Sequence, residues 1–113
     1  MADNRQKGIC LRFYTTENRR HHSLLVYEWL LEHARKLGLK GGSAFHGLAG
    51  FGRHHVMHEA HFFELAGDTP VEVVFVVSEE EEARLMQLIK AEKLALFYVR
   101  IPVEYEALSG GIS

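Results

Sequence analysis

The sequence predicts an α+β fold in which two helices cover one face of an antiparallel sheet, and three observations predict it. The chain has 113 residues and is 47% apolar, which is enough for one domain with its own core. Several segments alternate apolar and polar residues as strands do, and two others place apolar residues at helical spacing. Along the chain the order is strand, helix, strand, strand, helix, strand, which is the ferredoxin-like βαββαβ sandwich. Right-handed crossovers then put both helices on the same side of the sheet.

The first third of the chain supplies a strand and a helix. Residues Gly8–Thr15 alternate between apolar and mixed positions, which predicts the first strand. Ser23 is predicted to cap the first helix, and Gly38 is predicted to follow its last turn. Trp29 is expected on the flank of this helix, partly buried or at a subunit contact. The apolar face of the helix is predicted to consist of Tyr27, Leu30, Leu31, Ala34 and Leu37.

The middle of the chain is harder to assign. Residues Gly42–Ala49 predict a second strand, which Gly47 weakens. His55–Leu65 is compatible with a hairpin arm or with an extended loop. Ala66–Pro70, with the sequence AGDTP, is a turn.

The last third supplies a strand, a helix and a strand. Val71–Val77 is the strongest strand, and Ser78 with Glu81 forms a capping box at the start of the second helix. The residues predicted to face inward from that helix are Leu85, Met86 and Ile89. Ala95–Val103 predicts the last strand, where Pro102 indicates an edge strand or a bulge.

The strand Val71–Val77 is apolar at nearly every position, which a sheet covered on one face only does not require. Val73 and Phe75 are predicted to face the helices, and Val74 and Val76 to face the other way. We therefore expect another subunit to cover the second face of the sheet.

Composition excludes several classes of partner. The net charge of −2 favours neither nucleic acid nor a membrane surface. The one cysteine, Cys10, cannot form a disulfide within the chain, which favours a reducing compartment. No apolar run approaches the ~20 residues that span a bilayer, and the N-terminal residues lack an apolar signal core. These observations predict a cytoplasmic protein without membrane insertion.

No recognised catalytic motif is present, so we predict no catalytic residues and no enzyme. The sequence from His58 to His61 reads HEAH, one residue short of the zinc-protease motif HExxH. The acidic run Glu79–Glu82 is explained as the start of a helix.

Histidines are the unusual feature of the composition, and four of them lie close together after the glycines. They are His54, His55, His58 and His61. In an extended chain they point alternately to opposite faces, which makes a tetrahedral metal site from this segment awkward. They are weak metal candidates, and we expect no physiological metal. A site between subunits, or one that includes His21 and His22, stays open.

The stretch GLAGFGR combines glycines with a basic residue. Gly50 and Gly52 allow the backbone to approach a ligand closely, and Arg53 adds a fixed positive fork. Successive amides in such a turn can bind an anion, although the stretch does not open a helix as dinucleotide and Walker motifs do. A bend at a strand end is the alternative. Arg19–His22 is another short basic run, either a solvated loop or the lining of an anionic ligand site.

Three stretches resemble the family called domain of unknown function 190, a branch of the PII-like proteins. They are LRFYTTE, LVYEWLLEHARKLGLKGGSAFHGLAGFG and DTPVEVVFV. The resemblance covers about residues 10–105 and implies one PII-like domain over 1–113. Its core is about 8–105, and its mobile loop, at about 53–70, is launched by the GFGR sequence.

The resemblance also implies a homotrimer that binds ligands in clefts between subunits, with the loop touching a transporter or a regulatory protein. The implied ligand is an adenine nucleotide or another anionic small molecule. The candidate contacts are Gly50, Phe51, Gly52, Arg53 and Arg100. Nucleotide-binding PII proteins carry a glycine-rich phosphate loop after the second helix, whereas this chain has KAEKLALFY there.

Two hypotheses follow. The first is a non-catalytic, PII-like regulatory or ligand-binding protein that acts in signal transduction. The alternative is a histidine-based metal-binding module similar to the trimeric CutA-type proteins.

Overall fold

The computed structural model describes residues 3–51, 57–59 and 69–109, and for residues 49–51 and 57–59 it describes the backbone alone. In chain order the elements are β1 (Gln6–Thr16), β2 (Arg20–His21), β3 (Leu24–Leu25), α1 (Val26–Lys36), β4 (Ser43–His46), β5 (Ala49–Phe51), β6 (Met57–Glu59), β7 (Pro70–Val77), α2 (Glu79–Ala91) and β8 (Phe97–Tyr105).

A four-stranded antiparallel sheet forms the centre of the fold, with the strand order β4-β7-β1-β8. The first strand of the chain is therefore an inner strand, and the last strand lies beside it at one edge. Both helices pack on one face of the sheet. This is the predicted α+β sandwich, and the predicted order of the main elements is confirmed.

The core lies between the sheet and the helices. Alternate residues of β1 and β7 face it, and the register places Leu11 opposite Phe75 and Phe13 opposite Val73. All four side chains are at most 1% exposed. The rings of Phe13 and Phe75 meet edge to face, with centroids 6.1 Å apart. Each such side chain contributes about 1.5–3 kcal/mol by leaving water, which makes this pairing the main anchor of the sheet.

The start of α1 corrects the sequence prediction. Ser23 does not cap the helix, which begins at Val26 after an N-cap at Leu25 that makes no side-chain bond. Instead Ser23 lies in the turn between β2 and β3, with φ of +72°. The amide of Val26 donates to the carbonyl of Arg19 at 2.8 Å, so the hairpin satisfies a donor that a cap would otherwise take.

The buried face of α1 is also rotated from the predicted one. Leu30 and Ala34 are buried as expected, while Tyr27, Leu31 and Leu37 pack only partly against the core. The other buried positions of the helix are Val26 and Trp29. Trp29 is 2% exposed, which is deeper than the flank position expected from the sequence.

Both helices have well-defined ends. Gly38 has φ of +91°, and the amides of Gly38 and Leu39 donate to Arg35 and Ala34 at 3.0 Å, which confirms the predicted glycine stop. The capping box at the start of α2 is also confirmed. Ser78 Oγ accepts from the amide of Glu81 at 3.1 Å, and the Glu81 carboxylate accepts from the amide of Ser78 at 2.8 Å.

Several element boundaries differ from the predicted ones. The predicted strand Gly42–Ala49 is divided into β4 and β5, because the amide of Gly47 leaves the β4 register and donates to the carbonyl of Pro70. The last strand begins later and ends later than predicted, and it lies at the sheet edge that Pro102 indicated. Within His55–Leu65, residues 57–59 form a hairpin arm, and the rest lies outside the described residues. Within the described ranges, no helix is both long and apolar enough to cross a membrane.

Candidate functional site

The sheet face opposite the helices carries apolar side chains that the single chain leaves exposed. Strand register places Val74 and Val76 on this face beside Arg12 and Cys10 of β1, as predicted for β7. The large side chains exposed there are Tyr14 (36%), Phe45 (55%), Val76 (44%), Phe97 (55%) and Ile101 (42%). We call this surface the open sheet face. An apolar surface of this extent on a sheet is typical of a contact with another subunit.

Polar groups lie within the open sheet face and are partly withdrawn from water. Arg12 Nη1 lies 4.0 Å from a carboxylate oxygen of Glu72, across the β1–β7 pair. Desolvation, followed by a hydrogen bond to Glu72, raises the pKa of Tyr14. The Tyr14 ring packs beside Phe97 with centroids 5.9 Å apart. The open sheet face therefore has a central charged pair inside an apolar surround.

A shallow cleft continues from the open sheet face towards the end of β8. Residues that line it include Gly42, Phe45, Val76, Glu81 and Tyr105. Because one wall of the cleft is the open sheet face, any subunit that covers this face would also close the cleft.

The candidate residues of the glycine stretch are only partly within the described structure. Gly50 and Phe51 lie in β5, opposite His58 and Met57 of β6. Gly52 and Arg53 lie outside the described residues. Gly50 therefore lies within a paired strand, and the predicted anion-binding turn would have to begin after it.

Arg100 is held by the second helix. Its Nε and Nη2 donate to the two carboxylate oxygens of Glu82 at 2.7 and 2.9 Å, a two-point contact that raises the pKa of Arg100. Edge strand β8 and helix α2 thus fix this guanidinium in place. An anionic ligand at Arg100 would have to share it with Glu82 or displace Glu82.

The predicted histidine group is not assembled by the described residues. His58 lies in β6, where only its backbone is described, while His54, His55 and His61 lie outside the described residues. His46, on β4, lies 3.7 Å from Glu17 at an exposed position.

A different histidine cluster lies where β2 and β3 meet the end of α2. His21 Nε2 donates to Glu92 Oε1 at 3.0 Å, and His22 Nε2 lies 3.3 Å from the same oxygen. The hydrogen bond from His21 lowers the pKa of the Glu92 carboxyl. We call His21, His22 and Glu92 the His–Glu cluster. Among the described residues, these three form the group whose geometry could hold a metal ion.

Sequence reasoning noted the two histidines but missed Glu92. The two segments are far apart in the chain, and Glu92 reads as an ordinary residue at a helix end. A sequence signal was available only in part, as the basic run Arg19–His22. The tight turn that presents His22 was not predicted.

The chain matches the family DUF190, described as an uncharacterized ACR, over residues 8–99. The chain belongs to the DUF190 family. The match extends from β1 to the start of β8 and includes the His–Glu cluster, while Arg100 lies just beyond it. A UPF0166 protein from Aquifex aeolicus (strain VF5) is 32% identical over 86 residues, which are 76% of this chain and 82% of the relative.

Solved structures give this DUF190 chain a known fold. It is similar to CPII, a nitrogen regulatory PII-like protein from Thiomonas intermedia K12 solved with ADP, AMP and bicarbonate. The TM-score is 0.66 at 21% identity, covering 92% of each chain. A candidate PII-like signaling protein from Thermus thermophilus gives 0.64 at 17% identity, covering 91% of this chain and 93% of that one. The DUF190 chain therefore has the ferredoxin-like fold of PII-like proteins.

Proposed function

We propose that this DUF190 protein is a non-catalytic regulator that forms a homotrimer and binds an anionic or nucleotide-type ligand in the clefts between subunits. The observation that carries the proposal is the open sheet face. Its exposed apolar residues, from Tyr14 and Phe45 to Ile101, give each chain a surface that is stable only when covered. Three copies that bury this face would bring the cleft beside Phe45 and Tyr105 to a subunit boundary.

The ligand class is proposed from charge and from a structural neighbour. CPII was solved with ADP, AMP and bicarbonate, all of which are anions. In this chain the proposed contacts are the backbone of Gly50, Phe51 and Gly52, with the guanidinium groups of Arg53 and Arg100. Arg100 is already held by Glu82, so we propose that it orients the site, while Arg53 supplies the unshared charge.

The turn after α2 offers a second source of positive charge. Lys93 takes a left-handed conformation there, with φ of +55°, in the place where nucleotide-binding PII proteins are expected to use glycine. With Lys90 it could attract phosphate groups by charge rather than by close backbone approach. We infer that phosphate recognition in this protein depends on side chains more than on backbone amides.

We also propose that residues 53–70 contact a transporter or a regulatory protein when the ligand is bound. The net charge of −2 supports a protein partner over nucleic acid. The alternative, metal binding by His54, His55, His58 and His61, has no supporting contact among the described residues.

Calorimetric titration tests the ligand proposal. ADP, AMP and bicarbonate are titrated into the intact protein and into Arg53→Ala, which is expected to weaken binding by about tenfold or more because it removes a charge-assisted hydrogen bond. Arg35→Ala is the matched control, because Arg35 pairs only with Glu32 on the surface of α1 among the described residues. It should leave the affinity unchanged.

Two outcomes would contradict the ligand proposal. One is that none of the three anions binds the intact protein at millimolar concentration. The other is that Arg53→Ala and Arg35→Ala lower the affinity equally, which would indicate only a general effect of net charge.

A further inference from the structure

We propose that the His–Glu cluster is a binding site for a divalent transition metal ion such as Zn²⁺. The site is formed by His21 and His22 from the β2–β3 hairpin and by Glu92 from the end of α2. It is independent of the glycine stretch and of the proposed anionic ligand.

The distances between the three ligand atoms suit a tetrahedral ion. The Nε2 atoms of His21 and His22 lie 3.0 and 3.3 Å from the same oxygen of Glu92, and all three ligand atoms lie within 4.8 Å of one another. Zinc bonds of ~2.0–2.1 Å at tetrahedral angles separate neighbouring ligand atoms by ~3.3 Å. Small side-chain rotations would therefore bring both imidazoles and the carboxylate into ligand positions.

The hairpin turn that carries His22 has an unusual backbone. His22 and Ser23 have φ of +50° and +72°, the pattern of a two-residue type I′ turn. Such turns usually use Gly, Asn or Asp, because other side chains are strained there. Arg20 Nη1 donates to the carbonyl of Ser23 at 2.9 Å and holds the turn closed. The strained backbone places the His22 ring against Glu92, as expected where strain accompanies a functional position.

The ring of His21 is fixed by neighbours that are not ligands. It meets the buried Trp29 edge to face, with centroids 5.3 Å apart. Trp29 in turn stacks on His33 at 4.2 Å, and His33 Nδ1 donates to the carbonyl of Trp29 at 2.9 Å. Aromatic packing thus sets the direction of one ligand before any ion arrives, which lowers the cost of binding.

The cluster is accessible on one side and lies at the negative end of a helix. The side chain of His21 is 15% exposed, whereas those of Glu92 and His22 are 33% and 72% exposed. Solvent can therefore deliver an ion and fill a fourth position. Glu92 is the C-cap of α2, so its carboxylate adds to the partial negative charge of the helix end and favours a cation.

Calorimetry with ZnCl₂ tests the proposal on the full-length protein without an affinity tag. To separate the two groups of histidines, the parent is a variant with His54, His55, His58 and His61 all replaced by Gln. We expect this parent to bind one zinc ion per subunit. Glu92→Gln and His22→Gly should each weaken zinc binding by at least about tenfold, because each removes one of three ligands.

The variants are chosen so that loss of folding does not explain the result. Glycine accepts the positive φ of position 22, and glutamine keeps the size of Glu92 and an oxygen acceptor. His46→Gln is the control, since His46 also lies beside a glutamate, at 3.7 Å from Glu17, but belongs to no cluster of three among the described residues. Circular dichroism confirms that each variant is folded.

Three results would overturn the proposal. The first is that the parent lacking the four loop histidines binds no zinc, in which case any binding by the natural protein belongs to that loop. The second is that His22→Gly and Glu92→Gln bind zinc as tightly as the parent. The third is that His46→Gln weakens binding as much as the cluster variants do, which would indicate adventitious binding. Titration with ADP is a separate readout, so failure here leaves the ligand proposal standing.

Discussion

Single residues in this protein are constrained mainly by the space that their neighbours leave. Gly42 is the sharpest example. A Cβ atom at this position would lie 2.4 and 2.6 Å from two ring carbons of Phe75, which is shorter than any real contact. Phe75 is 1% exposed in the core and cannot move outward without opening a cavity. The glycine before β4 thus allows the chain to pass over a core ring.

We expect Gly42→Ala to lower the free energy of unfolding by about 1–3 kcal/mol, the usual cost of overpacking a core. Urea unfolding followed by circular dichroism measures it. The neighbouring Gly41→Ala is the control, because nothing lies within 4 Å of the added Cβ atom. Equal stabilities of the two variants would contradict the role assigned to Phe75.

Helices and strands in this protein were predictable where short-range signals set them. The capping box of Ser78 and Glu81, the glycine stop at Gly38 and the two-sided strand Val71–Val77 all depend on neighbouring residues, and the structure confirms each. The β2–β3 hairpin was missed because its turn, His22–Ser23, has none of the residues that mark such turns. Without that hairpin, Ser23 looked like a helix cap.

The candidate site was less predictable than the elements. The side chains that meet there come from distant parts of the chain, as Glu92 meets His21 and Glu82 meets Arg100. Periodicity and spacing describe one segment at a time and carry no information on such pairs. The residues of the glycine stretch remain predictions from sequence, since Gly52 and Arg53 lie outside the described residues.

At the start of α2, we expect Ser78→Ala to lower the free energy of unfolding by about 0.5–2 kcal/mol, because the amide of Glu81 loses its acceptor. Thermal unfolding reports the change as a lower Tm. Glu80→Gln is the control in the same turn, since the Glu80 side chain makes no hydrogen bond among the described residues. A loss of stability in Glu80→Gln that equals the loss in Ser78→Ala would point to charge at the helix start rather than to the cap.

The whole molecule has one covered and one uncovered sheet face, and its assembly depends on the second. Val76 lies at the centre of the uncovered face, beside Cys10, and is 44% exposed in the single chain. A charge at this position would be tolerated by a monomer but would be buried without a partner in the proposed trimer.

We therefore expect Val76→Asp to convert the proposed trimer into folded monomers, which sedimentation velocity would resolve. Gln87→Asp adds the same charge on the exposed side of α2 and should leave the trimer intact. If the unaltered protein sediments as a monomer, the trimer proposal fails. If Val76→Asp stays trimeric, the subunits meet through another surface.

The inner position of β1 also has a consequence for synthesis on the ribosome. Leu11 lies between Phe75 and Arg100 in the sheet, so the partners of the first strand are made long after it. Because ribosomes add about 5–20 residues per second, β1 waits roughly 5–20 s for β8 to emerge. During that interval its apolar side chains have no sheet to join, and the nascent chain depends on chaperones or on transient helix contacts to avoid aggregation. Slower translation would lengthen this exposed period, whereas a permuted gene that encodes β8 directly before β1 would shorten it.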